Sequence, residues 1–355
     1  PEGIAAKDLV LAIIRKLGAS GGTGYVAEYY GPAISQMEMS GRMTVCNMSI
    51  EMGARAGMIA PDTKTMAYIA EGDRPFAPKG VDYARLLQKS LTLKTDSEEA
   101  FDRRELSGPF DIVGDVHGCC EELEELLAEL GYDVAWSGES VTVTPPAGRT
   151  FVFVGDLVDR GPRVPDTLRI AMAMVGAGTA LCVEGNHDNK FGRMLSGANL
   201  KMNHGLQASA DQMAAEMPAF KAKARAFVDS LPPYLWLDGG KLVVAHAGLK
   251  EDMLGLDNGK VRSFALYGET TGETDGYGFP VRRNWALEHD GEPAIVYGHV
   301  AAPDVQAINN TWCLDTGCCF GGRLTALRWP EKELVSVAAK RAYYLPERPF
   351  ADRAR

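Results

Sequence analysis

The stretch FDIVGDVHGCCEEL, residues 110–123, decides the fold. A short apolar run ends in a glycine, two polar side chains follow, and an acidic helical pattern begins at once. FDIV has the β-branched, apolar character of a buried strand. Asp115 and His117, two residues apart, project from the strand's end into one place.

The same grammar recurs downstream. TFVFVG (150–155), TALCVEG (179–185), KLVVAHAG (241–248), AIVYGH (294–299) and WCLDTG (312–317) are short apolar runs closed by glycine or polar residues. Helical patterns at 119–132 and 165–177, and a long one near 208–230, separate several of them. Strands alternating with helices predict a layered α/β domain. In such sheets, sites gather at the carboxyl ends of the strands. Those ends carry Asp115 with His117, Asp156, Asn186 with His187, His246, His299 and Asp315. Four of the chain's six histidines fall there, more than scattered core histidines would supply.

Carboxylates, an amide oxygen and neutral imidazoles form a ligand set for divalent cations. Two cations about 3.5–4 Å apart need a bridging carboxylate and terminal ligands. Asp115 and His117 are expected to hold the first, Asp156 to bridge, and Asn186, His246 and His299 to hold the second. A shared hydroxide would attack phosphorus. The Arg160 guanidinium, from GDLVDRG (155–161), would pair with phosphate oxygens. His187, beside a ligand, would protonate the leaving oxygen. Asp159 or Asp188 would orient it and keep it cationic.

The motifs D-x-H, GDxxDRG and GNHD, followed by two later histidines, resemble the calcineurin-like metallophosphoesterases of the phosphoprotein-phosphatase branch. The segments RRELSGPFDIVGDVHGCCEEL (103–123), GTALCVEGNHDNK (178–190), HGLQ (204–207), LYGETTGETDGYGFPVR (266–282) and LDTGCCFGGRLTALRWPEKELVSV (314–337) look most like the phosphatase module of bacterial RNA-repair polynucleotide kinase-phosphatases. The resemblance implies a two-sheet sandwich flanked by helices over 103–350, with 351–355 a tail. It implies two divalent ions, manganese first, with nickel or iron as alternatives. It also implies hydrolysis of RNA 2′- or 3′-phosphate and 2′,3′-cyclic phosphate ends. Protein phosphatase and bis(5′-nucleosyl)-tetraphosphatase activities are the alternatives within this chemistry. The same resemblance carries Asp115, His117, Asp156, Arg160, Asn186, His187, His246, His299 and Asp315 as active positions, with Asp315 supporting the site from behind or touching substrate. GxxxxGK[ST] is absent, so no 5′-kinase activity is expected.

Residues 1–102 are unlike the rest. Residues 5–17 have helical spacing with Gly18 as a stop, and 42–56 read as a helix with Ser40 near its N-cap, placing Asn47 and Glu51 on one face. The sequence APDTKT then opens a further short helix, and 71–107 reads as loop and linker. KDLVLAIIRKLGASGGTGYVAEYYG (7–31), GRMTVCNMSIEMGARAGMIAPD (41–62) and RPFAPKG (74–80) resemble the large subunit of 3-isopropylmalate dehydratase, of the aconitase family. Asn47 and Glu51 match that family's active-site pair, while its cluster-binding cysteine motifs are missing. We therefore expect a mostly helical, non-catalytic fragment, loosely ordered without its packing partner and holding no iron–sulfur cluster. A truncated hydro-lyase and an inactive scaffold are the rival readings.

A net charge of −10 excludes a broad basic platform for nucleic acid. Seven cysteines, two pairs of them adjacent in sequence, suit reduced thiols and a cytoplasmic protein. No apolar run reaches the ~20 residues of a membrane span, so no membrane partner is expected. The acidic helix EELEELLAEL is read as a solvated face, and His204 and His289 as ordinary surface or loop residues.

Overall fold

The computed structural model describes residues 5–70, 101–278 and 280–345. The chain divides into two compact units, Pro1–Glu99 and Ala100–Arg355. Among the described residues no helix is long and apolar enough to cross a membrane.

In the first unit a helix spans Ala6–Leu17 and stops at Gly18, whose φ of 85° favours glycine. A second main helix covers Met39–Met48 and tightens into a 3₁₀ turn over Ser49–Met52. It starts earlier than the sequence suggested: Glu38, extended at φ −70°, is its N-cap, and Ser40 lies inside it. Asn47 and Glu51 are exposed, on either side of the change in helix type. A further helix runs Thr63–Ala70, as APDTKT suggested. Strands β1 (Val26–Glu28) and β2 (Ala56–Met58) pair in parallel. Val10, Ile34, Val45, Met52 and Ala54 are buried. Arg42 and Asp62 form a buried ion pair at 2.7 Å, with Arg42 also donating to the Ser35 and Met37 carbonyls. The RPFAPKG likeness, most of the expected linker and the 351–355 tail lie outside the described residues.

The second unit contains two five-stranded sheets. The first runs β16 (Glu333–Ala338), β15 (Arg323–Trp329), β3 (Phe110–Val113), β6 (Thr150–Phe153), β7 (Ala180–Cys182). The second runs β13 (Gln306–Ile308), β14 (Thr311–Cys313), β12 (Ala294–Tyr297), β9 (Leu242–Ala245), β8 (Tyr234–Leu237). In each sheet three adjacent strands are parallel: β3, β6 and β7 in one, β9, β12 and β14 in the other. All six apolar runs read from the sequence are these six strands. Their near-continuous hydrophobic character follows from coverage on both faces.

Between the sheets, Phe110, Ile112, Val152, Val154, Val183 and Leu327 meet Leu235, Leu242, Val244 and Val296. The other face of the first sheet packs under helices Cys120–Glu129 and Val164–Gly176 through Leu123, Leu126, Leu127, Leu168 and Phe153. The long helix expected near 208–230 is two helices, Leu206–Ala214 and Pro218–Asp229. Met217 is extended at ψ 146° because the ring of Pro218 disfavours helical backbone before it. Strands β8, β13, β15 and β16, the hairpin β4 (Asp133–Ser137) and β5 (Ser140–Thr144), and the exposed hairpin β10 (Thr270–Thr274) and β11 (Pro280–Arg282) were not legible as strands. The acidic helix is only partly solvated, since Glu122 is fully buried. His289 is a loop residue but a buried one, its Nε2 3.0 Å from the Pro293 carbonyl.

Ile112 sits on β3 between β15 and β6 and is completely buried. Ile112→Ala is expected to cost about 2–5 kcal/mol. Urea unfolding of the full chain checks this; a loss below about 1 kcal/mol would show that the two sheets do not share this core.

Candidate active site

The carboxyl ends of the six parallel strands open to one place. β3 leads to Asp115 and His117, β6 to Asp156, and β7 to Asn186 at the first turn of a helix, Asn186–Leu195. β9 leads to His246, β12 to His299 and β14 to Asp315. The two sheets are joined here directly: the His299 backbone N–H donates to both Asp115 carboxylate oxygens at 3.2 and 3.1 Å. Gly298 makes this approach possible, because a Cβ there would collide with the Asp115 carboxylate.

Asp156 occupies the middle. Its Oδ2 is 3.5 Å from His117 Nε2 and its Oδ1 is 3.5 Å from His246 Nε2. Asp115 Oδ2 is 4.0 Å from the same His117 nitrogen. His246 Nε2 also faces Asn186 Oδ1 at 2.9 Å and His299 Nδ1 at 3.0 Å. All six expected ligands are therefore brought together. Donor atoms of Asp156, His246 and His299 lie within 4.8 Å of one another, as do those of His117, Asp156 and His187. Asp156 is common to both groups, and the ring of His187 stands in the group with His117, where the sequence reading had placed Asp115.

The hydrogen-bond chemistry fits cations. His117 Nδ1 lies 2.8 Å from the Val158 carbonyl and His246 Nδ1 3.0 Å from the Val154 carbonyl. A carbonyl only accepts, so each ring carries its proton on Nδ1 and turns the Nε2 lone pair inward. At His246 that lone pair meets the Asn186 amide oxygen, another acceptor. Two acceptors at this distance repel unless a positive charge lies between them. His299 Nε2 is buried without a partner. Burial raises the Asp115 carboxyl well above its usual range, with Asp315 and Asp156 adding to the shift. Burial also pushes Asp156 up to about 8 and the His246 imidazole down to about 4. Crowded carboxylates that resist ionising and imidazoles that resist protonation form a set that bound cations would stabilise in its ligand state.

Strain accompanies the set. His117, Asp156, Asp159, Arg160 and His299 have φ of 46°, 50°, 70°, 67° and 69°, in the left-handed region that non-glycine residues avoid. Such backbone persists only where surrounding structure holds it. No spacing rule in the sequence could have signalled it.

Arg160 extends one guanidinium nitrogen to His117 Nε2 at 2.6 Å and the other to His187 Nε2 at 2.8 Å. It lies over the Phe320 and Tyr344 rings, at 5.1 and 5.9 Å to their centroids. His187 Nδ1 is 2.6 Å from Asp159 Oδ2, and Asp159 Oδ1 accepts from the Ser209 hydroxyl at 2.6 Å. Of the two carboxylates offered by the sequence, Asp159 is the one in contact with the His187 ring. Asp159 orients His187, whereas Asp188 accepts from the Gly185 and Leu157 N–H groups at 3.1 and 3.0 Å and caps the helix. Burial, with Arg160 adding, holds His187 neutral rather than cationic. Asp315 closes a turn by accepting from the Gly317 N–H at 3.0 Å, and its charge acts on Asp115, Asp156 and His246. Sequence reading missed Ser209, the two aromatic rings and Arg282, whose charge depresses the His246 and His299 imidazoles.

Above the ordinary imidazole pKa of about 6.5 the four site histidines are neutral in both folded and unfolded chains. Asp156 keeps its proton up to about 8 only when folded. The native state then binds the extra proton, so metal-free protein is expected to lose stability between about pH 6.5 and 8. The slope approaches about 1.4 kcal/mol per unit for each such carboxylate. Melting of chelator-treated protein across this window checks it, and a flat or rising Tm would contradict the assigned burial.

Comparison with known proteins agrees with this geometry. Residues 108–329 match the calcineurin-like phosphoesterase family. Residues 1–106 match the aconitase family (aconitate hydratase). A bis(5′-nucleosyl)-tetraphosphatase PrpE [asymmetrical] of Geobacillus sp. (strain WCH70) is 43% identical over 242 residues, 67% of this chain and 97% of the relative. Its counterpart in Bacillus subtilis (strain 168) is 38% identical over 238 residues, 66% of this chain and 96% of the relative. A solved structure described as a candidate diadenosine tetraphosphatase is 25% identical, with a TM-score of 0.49, covering 67% of this chain and 97% of its own. The two PrpE relatives correct the expected kinship with RNA-repair kinase-phosphatases: they bear the tetraphosphatase name, and neither supports RNA end healing. With the matched segment covering all six parallel strands and every strand end that carries a candidate ligand, the chain belongs to the calcineurin-like phosphoesterase family, whose members hold a pair of divalent metal ions.

Proposed function

We propose that the second unit is a binuclear-metal hydrolase of bis(5′-nucleosyl) tetraphosphates, cleaving the polyphosphate chain off-centre to give a nucleoside triphosphate and a nucleoside monophosphate. The observation that carries the hydrolase reading is the convergence of inward lone pairs on His117 and His246 around a central Asp156. The substrate reading is supported by the name shared by relatives at 38–43% identity that are covered over 96–97% of their length.

Asp115, His117 and Asp156 would hold one cation; Asp156, Asn186, His246 and His299 would hold the other. Manganese is our first assignment, because oxygen and imidazole donors without sulfur suit it. When bound, the pair supplies positive charge to a phosphoryl oxygen and lowers the pKa of an attacking water. Arg160 presents two N–H groups and would bind phosphate oxygens in forked geometry. In that role it would leave the imidazole nitrogens it now contacts, while the aromatic rings beside it limit where it can swing. His187, neutral at rest, would take up a solvent proton on Nε2 once Arg160 has turned to the phosphate, and deliver it to the departing phosphate oxygen as the water oxygen bonds to phosphorus, the bridging P–O bond breaks and the attacking water's own proton passes to solvent. Asp159, held by Ser209, keeps the His187 ring in line. No chemistry is assigned to the first unit. Seven unpaired thiols suit a reducing compartment, and we place the enzyme in the cytoplasm.

Two substitutions separate the roles. Asp156→Ala is expected to abolish binding of both cations and all hydrolysis, as measured by metal analysis and turnover. His187→Ala should retain metal and lower kcat by about 10²–10⁴-fold, with the smallest loss on an aryl phosphate whose leaving group needs little protonation. Full turnover by Asp156→Ala would refute the site. Substrate identity is read by product chromatography with diadenosine tetraphosphate, a 3′-phosphorylated oligonucleotide and a phosphopeptide, each with manganese. ATP and AMP in equal amounts, at the highest kcat/KM of the three, are expected; preference for the oligonucleotide or the peptide would overturn the assignment.

A further inference from the structure

A third group of metal-ligating side chains lies outside the active site. Among the described residues, donor atoms of Cys119, Glu122 and Cys318 fall within 4.8 Å of one another, and all three residues are buried. Cys119 caps the helix Cys120–Glu129, and Glu122 follows one turn later on the same face. Cys318 sits in the turn between β14 and β15. The Cys119 thiol donates to the His117 carbonyl at 3.7 Å, which places its sulfur at the exit of β3.

The carboxyl group of Glu122 is the decisive feature. One oxygen, Oε1, accepts from the Lys340 N–H at 2.9 Å and the Tyr343 hydroxyl at 2.8 Å. The other, Oε2, is sealed from water and has no hydrogen-bond partner. A carboxylate oxygen buried in this way is strongly unfavourable unless a positive charge faces it. Two sulfurs have their Sγ within 4.8 Å of the Glu122 carboxyl group, and thiolate sulfur, like carboxylate oxygen, is a cation ligand. Tyr343 and the Lys340 backbone fix the carboxylate's orientation, as partners of a ligating group do.

We propose that Cys119, Glu122 and Cys318 bind a third divalent cation of zinc character, separate from the catalytic pair. Two thiolates select zinc or cobalt over manganese or magnesium. Binding releases two thiol protons and forms two metal–sulfur bonds and one metal–oxygen bond, with no change in oxidation state. Three protein donors leave one tetrahedral corner free. The cation would fasten the exit of β3, which carries His117, to the turn preceding β15. Through Glu122 it would also fasten segment 340–343. Cys319, next to Cys318, has its sulfur 4.0 Å from an Arg160 guanidinium nitrogen, so the brace would stand directly behind the phosphate-binding arginine.

Cobalt(II) titration of the full chain, reduced and stripped with chelator under anaerobic conditions, tests this. The catalytic donors contain no sulfur, so thiolate-to-cobalt charge-transfer absorption reports the third site alone. It is expected to rise to saturation at one equivalent of site in wild type and equally in Asp156→Asn. It should vanish in Cys119→Ser and in Cys318→Ser, while Glu122→Gln should keep the band and weaken cobalt binding by about tenfold or more. Absence of the band in reduced wild type overturns the proposal, as does a band that survives Cys318→Ser. A Cys119–Cys318 disulfide in protein isolated without reductant, together with no band after reduction, reassigns the pair as a redox couple. Since Asp156→Asn tests the sulfur site with the catalytic site disabled, failure here leaves the phosphohydrolase reading intact.

Discussion

Everything in the second unit depends on bringing the carboxyl ends of two separate sheets within hydrogen-bonding distance. The contact between the Asp115 carboxylate and the His299 N–H is where this happens. It requires a glycine at 298 and a tightly packed core between the sheets, so that strands far apart in sequence arrive at a common height. Asp156 can then lie between His117 and His246, each presenting a lone pair. Apolar packing provides the rigidity, and the inward lone pairs and carboxylates provide donors suited to positive charge. Neither suffices alone, because a loosely held set of carboxylates would simply move apart.

Much of this was legible in the residues. Six apolar runs became six parallel strands, and every ligand named from the motifs lies at the end of its strand. Short-range patterns carry this information because a strand buried on both faces must be apolar throughout. Other parts were opaque for physical reasons. The break at Met217–Pro218 depends on one ring excluding helical backbone. Edge strands such as β13 and β16 have one partner each, so their composition is less constrained. Whether Asp159 or Asp188 served His187 could not be told from spacing, since both lie near it in the chain. Three-dimensional placement decides it: Asp188 is consumed by two backbone N–H groups at a helix start.

The substrate was the weakest part of the sequence reading, and the reason is chemical. A binuclear centre recognises a phosphoryl group, which is common to RNA ends, phosphoproteins and dinucleotides alike. The motifs report that shared group. What distinguishes substrates is the surface beyond that group, and the rings beside Arg160, those of Phe320 and Tyr344, belong to no motif. These positions have no spacing rule. The kinship with tetraphosphatases therefore adds information that the metal-binding motifs do not contain.

The left-handed backbone at His117, Asp156, Arg160 and His299 has an evolutionary corollary. Each of these residues stores conformational energy that glycine would not. Replacement by glycine would release that strain while removing the side chain on which the proposed chemistry depends. At these positions foldability and the proposed activity therefore pull in opposite directions, and selection on turnover would be the force that keeps a side chain there.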